Sequence, residues 1–456
     1  MSAVSAELLR KYNVPGPRYT SYPTVPYWDT TPSEPEWLAH LSRAIATGAE
    51  HAGASLYVHI PFCRALCTFC GCNMRVTRNH GLVMPYVESV LQEFALYLQR
   101  LELDTLRLGE LHLGGGTPTF LRAEELDALL SGLLSRAVVT PEASLSLEVD
   151  PRVTTREQLV VLRRHGFRRI SLGVQDFDPR VQEIVNRVQS EAEVRIVVEI
   201  ARELGFDSVN FDLIYGLPLQ TLESIRETMD AVVRLRPDRI AFYAYAHVPW
   251  IKPSQRLFTE ADLPEGESRR ALYELGRARL EAAGYVEIGM DHFALPTDAL
   301  LRSAQSGQLY RNFMGYTPQV TQPLIGLGVS AIGDAGDAFV QNEKNLQQYQ
   351  ERVARGELPL QRGHLLNDED RVLRGHILNL MTRFHTHWGV QQDYTGFLDG
   401  VLPRLDELEK DGLVRIGDGD VQVTPAGRAF LRNVCMAFDA RLIRKAPATP
   451  IFSQTV

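Results

Sequence analysis

From position 55 the chain repeats one pattern of apolar and polar positions. Short β-branched runs occur at SLYVHI (55–60), ELHLGGG (110–116), SLSLEVD (144–150), RRISLGVQ (168–175), SVNFDLIYG (208–216) and RIAFYAYAH (239–247). Between them lie stretches with apolar residues at helical spacing: MPYVESVLQEFALYLQRL, AEELDALLSGLLS, TREQLVVLRRHG, DPRVQEIVNRVQSEAEVRIVVEIARELG and TLESIRETMDAVVRLRP. Several of these end in Gly or Pro, as helices do. Strand then helix, six times in succession, predicts parallel strands joined by right-handed crossovers. The fold class expected is α/β, built on a partial barrel of six such units.

The flanks read differently. Residues 1–50 form an arm, in which PGPRYTSYPTVPYWDTTPSEP is rich in Pro, Tyr and Thr and lacks periodicity until EPEWLAHLSRAI. Its aromatics argue against simple disorder, and its stiff, flat composition would suit either a cover over a ligand or a seal on the barrel's open side. The barrel is expected over 51–300, and a connecting segment that completes the active site over 301–364. That stretch includes the Gly-spaced run LIGLGVSAIG. From 365 to 456 the helical runs DEDRVLRGHILNLMTRF and VLPRLDELEKDG precede two short strands around GDGD and a last helix. That order predicts a mainly helical, winged-helix-like C-terminal domain.

A chain of 456 residues is too long for one core, in keeping with several domains. The 48 basic and 56 acidic residues give a net charge of −8, which argues against a nucleic-acid or anionic-membrane partner. No run of 18 apolar residues and no cleavage signal occurs, so a cytoplasmic location is expected. Of the five cysteines, four lie between positions 63 and 72, which reads as a metal site in a reducing compartment.

Cys63, Cys67 and Cys70 form C-x-x-x-C-x-x-C directly after the first strand, and Cys72 follows at C-x-C spacing. Three close thiolates can hold three irons of a four-iron cluster and leave one iron open for chemistry. The alternative is a structural zinc site closed by all four thiols. In context, HIPFCRALCTFCGCN followed by GGGTPT resembles the radical S-adenosylmethionine superfamily. Resemblance to the oxygen-independent coproporphyrinogen III oxidase (coproporphyrinogen dehydrogenase) family is closer and covers nearly the whole chain. PGPRYTSYPT, YVHIPFC, FCGCN, GGGTPT, SLEVDPR, GVQDF, VNR, DLIYGLP, YAH, GMDHFA, RNFMGYT and GVSAI follow that family's order.

In a parallel barrel the active site lies where the strands' carboxyl ends meet their loops. Those ends carry Tyr57 and the cysteines, Gly114 to Thr117, Glu148, Gln175, Asp212, and Tyr245-Ala246-His247. The family resemblance implies that Cys63, Cys67 and Cys70 ligate a 4Fe-4S cluster, while Cys72 is not among the superfamily's three ligands. It implies that Tyr57, Phe69, Gly115, Glu148 and Ile332 hold the cluster-bound S-adenosylmethionine. Gly116, Thr117, Gln175, Arg187, Asp212 and Ala246 match a second S-adenosylmethionine site. His59 and His292 read as hydrogen-bonded core histidines. Arg163-Arg164 and Arg168-Arg169 read as helix-end charges on a solvated face.

The reaction implied by the resemblance is oxidative decarboxylation of two propionates of coproporphyrinogen III to vinyls, giving protoporphyrinogen IX in anaerobic haem biosynthesis. A 5′-deoxyadenosyl radical takes a hydrogen atom from the propionate β-carbon, carbon dioxide leaves, and an external acceptor collects an electron. The partners expected are coproporphyrinogen III and an electron donor such as flavodoxin or ferredoxin, with no nucleic acid and no membrane, in a monomer. A haem-binding chaperone branch of the wider family is the other function considered. That branch lacks FCGCN and the PGPRYTSYP arm, and this chain has both.

Overall fold

The computed structural model describes residues 5–48, 52–389, 399–447 and 449–456. All six predicted runs are strands: Ala54–Ile60 (β1), Leu106–Gly115 (β2), Ala137–Val149 (β3), Arg169–Gln175 (β4), Ser208–Tyr215 (β5) and Arg239–Ala244 (β6). Consecutive members pair in parallel from β1 through β6. Such pairing needs a crossover between neighbours, and a helix fills each one. Three of these helices, Arg156–Arg164, Glu191–Glu203 and Leu222–Leu235, start from capping boxes at Thr155, Ser190 and Thr221, which satisfy the first free backbone N–H groups.

The alternation along each strand sorts the chemistry. Leu56, Val58, Leu111, Leu113, Leu147, Ile170, Leu172, Val209 and Phe211 are fully buried in the core under the outer helices. Their neighbours Tyr57, His112, Ser146, Glu148, Ser171, Asn210 and Asp212 therefore face the other side, which becomes a polar barrel interior.

Six further strands extend this sheet to twelve: Val286–Gly289 (β7), His292–Ala294 (β8), Leu324–Leu327 (β9), Ile332–Asp334 (β10), Ala338–Asn342 (β11) and Leu360–Leu365 (β12). The order is β12-β11-β10-β9-β1-β2-β3-β4-β5-β6-β8-β7. β9 adds a seventh parallel strand beside β1, and β10 then runs antiparallel to it. The two ends of the sheet do not meet, so the barrel is partial.

The C-terminal region combines helices Asp368–Arg383, Leu402–Lys410, Leu431–Ala437 and Ala440–Lys445 with a three-stranded antiparallel sheet. Two of its strands, Val414–Ile416 and Asp420–Val423, flank the predicted GDGD turn, and His385–His387 adds a third. The arm is built into this region's core: Leu9, Tyr19 and Tyr22 pack with Leu373, Ile377, Val434 and Phe438. Arg432 donates to the carbonyls of Gly16, Pro17, Gln454 and Thr455, and Tyr19 Oη donates to Asp439 at 3.0 Å. Tyr19, Tyr22 and Tyr27 are 2–4% exposed, so the arm's rings are spent on packing. The boundary expected at 50/51 falls outside the described residues. Among those described, no helix is long and apolar enough to cross a membrane.

Candidate active site

Immediately after β1, residues Phe62–Cys63 pair in parallel with Arg75–Val76 and close a loop that carries all four clustered cysteines. The loop is pinned from outside. Thr68 N–H donates to the Val185 carbonyl at 3.0 Å and Asn186 Nδ2 to the Leu66 carbonyl at 2.7 Å. Buried Gln255 holds the carbonyls of Phe69 and Ala246 together, each at 3.1 Å from Nε2. All four thiols are free, and Cys67 is the most buried. Burial pushes the Cys63 thiol up to about 11, whereas the Cys72 thiol beside Cys70 brings Cys70 down to about 6.

The loop forms one wall of a cavity of about 320 Å³. The carboxyl ends of β2 to β5 supply the facing wall through Gly115, Gly116, Thr117, Glu148, Gln175 and Asp212. The glycines are required there. Gly115 has φ +111°, and a Cβ on it would stand 2.6–2.8 Å from the His59 ring; one on Gly116 would stand 2.8 Å from Pro61 backbone. His59 cannot swing aside, because Nε2 donates to the Asn73 carbonyl at 2.8 Å and Nδ1 accepts from Tyr57 Oη at 3.1 Å. Gly115 N–H donates to Glu148 Oε2 at 3.2 Å, and His112 Nε2 lies 3.7 Å from Glu148 Oε1.

Deeper in, Asp212 accepts from Ser171 Oγ at 2.7 Å and Asn210 Nδ2 at 2.9 Å, yet burial, aided by the Glu148 charge, lifts it to about 6. Asp150 behaves oppositely. Burial would raise it, but Arg187 and Arg152 outweigh that and hold it below the usual carboxylate range. Arg187 Nη1 donates to Asp150 Oδ2 at 3.4 Å and Nη2 to the Gly173 carbonyl at 2.5 Å, while its buried Nε has no partner among the described residues. Gln175 sits at φ +67°, a strained conformation of the kind stored at ligand sites.

Eleven of the fourteen sequence-derived site residues line this one cavity: Cys63, Cys67, Cys70, Phe69, Gly115, Gly116, Thr117, Glu148, Gln175, Arg187 and Asp212. Tyr57 stands behind it, bonded to His59. Ala246 is tied to the cysteine loop through Gln255. Ile332 is on β10, beside Gly326, the register partner of Tyr57. Sequence reading missed Asp150, Arg152 and Gln255. The first two carry a signal in retrospect, the DPR that ends SLEVDPR, whereas Gln255 lies in a loop that is distant in sequence. His292 has both ring nitrogens engaged, as expected, by the Met290 carbonyl at 2.8 Å and Tyr243 Oη at 3.3 Å. Arg169 departs from the solvated-face reading: it lies on β4 with its guanidinium 3.0 Å from Ser146 Oγ inside the barrel.

The donor set, four cysteine thiols on one loop, suits soft iron–sulfur ligation. Cys63, Cys67, Cys70 and Cys72 edge a cavity of about 320 Å³, faced by a glycine cradle.

The radical SAM superfamily model matches residues 57–232. The chain is 40% identical over 446 residues to the oxygen-independent coproporphyrinogen III oxidase of Pseudomonas aeruginosa, and 42% identical over 445 residues to that of Escherichia coli. Each alignment covers 96% of both proteins. The chain belongs to the oxygen-independent coproporphyrinogen III oxidase family. The solved structure of the Escherichia coli coproporphyrinogen III oxidase, described as a radical SAM enzyme, superimposes with a TM-score of 0.88 at 39% identity, covering 96% of this chain and 99% of that one. Family membership brings a 4Fe-4S cluster and S-adenosylmethionine as cofactors.

Proposed function

We propose that this chain is an oxygen-independent coproporphyrinogen III oxidase, which converts two propionates of coproporphyrinogen III to vinyls with loss of carbon dioxide. The observation that carries the reading is a single cavity edged by four free cysteines, a two-glycine cradle and carboxylates at the strand ends. Cys63, Cys67 and Cys70 hold the cluster. When bound, the cluster and S-adenosylmethionine supply a 5′-deoxyadenosyl radical as hydrogen-atom acceptor. Phe69 offers an aromatic face beside two of the ligands. Glu148, fixed by the Gly115 N–H, accepts from a cofactor hydroxyl or amino group. Gly116, Thr117, Gln175, Arg187 and Asp212 on the same cavity, with Ala246 beside the cysteine loop, form a second cofactor subsite. The protein's share of catalysis is orientation and exclusion of water from the radical.

Uncoupled cleavage of S-adenosylmethionine tests this partition. Glu148→Ala should weaken cleavage even without substrate. Asp212→Ala should leave substrate-free cleavage largely intact while suppressing vinyl formation. Equal loss of uncoupled cleavage in Glu148→Ala and Asp212→Ala refutes the two-subsite assignment.

A further inference from the structure

The proposed reaction gives Asp150 and Arg152 no part, yet they form the most elaborate polar arrangement beside the cysteines. Arg152 grips Asp150 with Nε at 2.9 and 3.2 Å and Nη2 at 2.7 Å. Arg187 Nη1 donates to the same carboxylate, at Oδ2, at 3.4 Å. Beyond Asp150 both guanidinium groups reach one sulfur: Arg187 Nη1 lies 3.7 Å from Cys67 Sγ, and Arg152 Nη2 lies 4.0 Å from it. One carboxylate, 7% exposed, thus faces two guanidinium groups, and the unit carries one net positive charge to the cavity wall. Among the described residues the hydrogen-bond donors to the other two thiols are neutral, although the Lys252 charge also acts on Cys70. Thr117 Oγ1 lies 3.4 Å from Cys63 Sγ, and the Cys72 N–H donates to Cys70 Sγ at 3.4 Å.

Resting on the cluster-ligand reading above, we propose that Arg152 is a positioning residue that, with Asp150 and Arg187, raises the reduction potential of the cluster through Cys67. Reduction adds one electron, taken from an external one-electron donor, and so one negative charge to the cluster. A fixed cation and N–H donors at a ligating sulfur stabilise that added charge, and both are established levers on cluster potential. Partial burial strengthens the effect, since the Arg152 side chain is 21% exposed and the Arg187 side chain 10%. Asp150 serves as a clamp: bound to both arginines, it aims them at the sulfur while cancelling only one of their two charges.

The test is a dithionite redox titration of the reconstituted holoenzyme without S-adenosylmethionine, followed by electron paramagnetic resonance of the reduced cluster. Arg152→Gln should shift the reduction equilibrium at least tenfold toward the oxidised form, 59 mV for this one-electron couple, at unchanged iron content. Arg152→Lys, which keeps the charge, should recover most of that shift. An Arg152→Gln cluster with the wild-type midpoint overturns the proposal. A second readout needs no variant. With guanidino-15N-labelled arginine in the wild-type holoenzyme, pulsed resonance of the reduced cluster should show 15N hyperfine coupling, and its absence overturns the proposal even if the variants fail to fold. A wild-type protein that binds no iron and sulfide overturns the cluster reading itself, and this inference with it.

Discussion

Replacing Gly115 by alanine probes the cradle through one carbon atom. The residue has φ +111°, where an L side chain is strained, and the added Cβ would stand 2.6, 2.7 and 2.8 Å from three atoms of the His59 ring. That ring is held at both nitrogens, and Tyr57, its partner, is wedged edge-on against Phe313 with centroids 4.8 Å apart. Backbone strain costs about 1–3 kcal/mol and overpacking against a ring that cannot yield costs about the same again. A loss of about 4 kcal/mol lowers the unfolding midpoint of a barrel-sized domain by roughly 8–16 °C. Gly336→Ala is the internal control: it has φ +85° but open space, so it carries the strain alone, about half the effect. Thermal unfolding of the iron-free proteins, followed by circular dichroism, gives the comparison. S-adenosylmethionine affinity of reconstituted Gly115→Ala should also fall, because relieving the His59 clash shifts the backbone N–H that orients Glu148. If Gly115→Ala unfolds no earlier than Gly336→Ala, the cradle is not rigid and the steric argument fails.

Serine in place of Cys63, Cys67 or Cys70 should abolish cluster assembly, whereas Cys72→Ser should still load iron and sulfide; equal iron loss in all four would make Cys72 a ligand. Glu93, fully buried and lifted to about 7 by burial despite bonds from Tyr349, Asn342 and Gly328, contributes stability in its protonated form. That contribution is complete below about 4.5 and is lost as pH rises through about 7, so wild type should lose about 3 kcal/mol relative to Glu93→Gln across that window; chemical denaturation at pH 4.5 and 8 reads the difference, and a pH-independent gap contradicts it. Deleting residues 1–27 removes Leu9, Tyr19, Tyr22 and Tyr27 from a packed interior and leaves Arg432 without its Gly16 and Pro17 acceptors. The truncated protein should unfold at a markedly lower temperature and lose cluster retention along with turnover. Wild-type stability with selective loss of vinyl formation would instead make the arm a cover over substrate.

The strands of the barrel were legible because each carries a complete apolar face toward the outer helices, as Ile170, Leu172 and Val174 do on β4. Their lengths were less so. β2 begins at Leu106 and β3 at Ala137, where exposed Arg107, Val138 and Val139 blur the alternation. β9 to β12 were hard to read because short strands rich in glycine, such as LIGL and IGD, carry no period to detect. The site's residue types stood out as polar positions at the ends of apolar runs. Its supports did not: Gln255 reaches Phe69 across 186 positions, a proximity that only the fold creates. The arm was open between two readings because composition cannot say what a tyrosine packs against. Arg169 was misread because a dibasic pair at a helix end looks solvated, although the second member opens a strand that points into the barrel.

The most direct test of the central claim is an anaerobic incubation of reconstituted protein with coproporphyrinogen III, S-adenosylmethionine and a one-electron reductant, followed by mass spectrometry of porphyrins and nucleosides. The account predicts a product lighter by two carbon dioxide molecules and four hydrogen atoms, formed by conversion of two propionates to vinyls, together with 5′-deoxyadenosine, and neither from Cys67→Ser. Iron-loaded protein that cleaves S-adenosylmethionine yet leaves coproporphyrinogen III unchanged would contradict it.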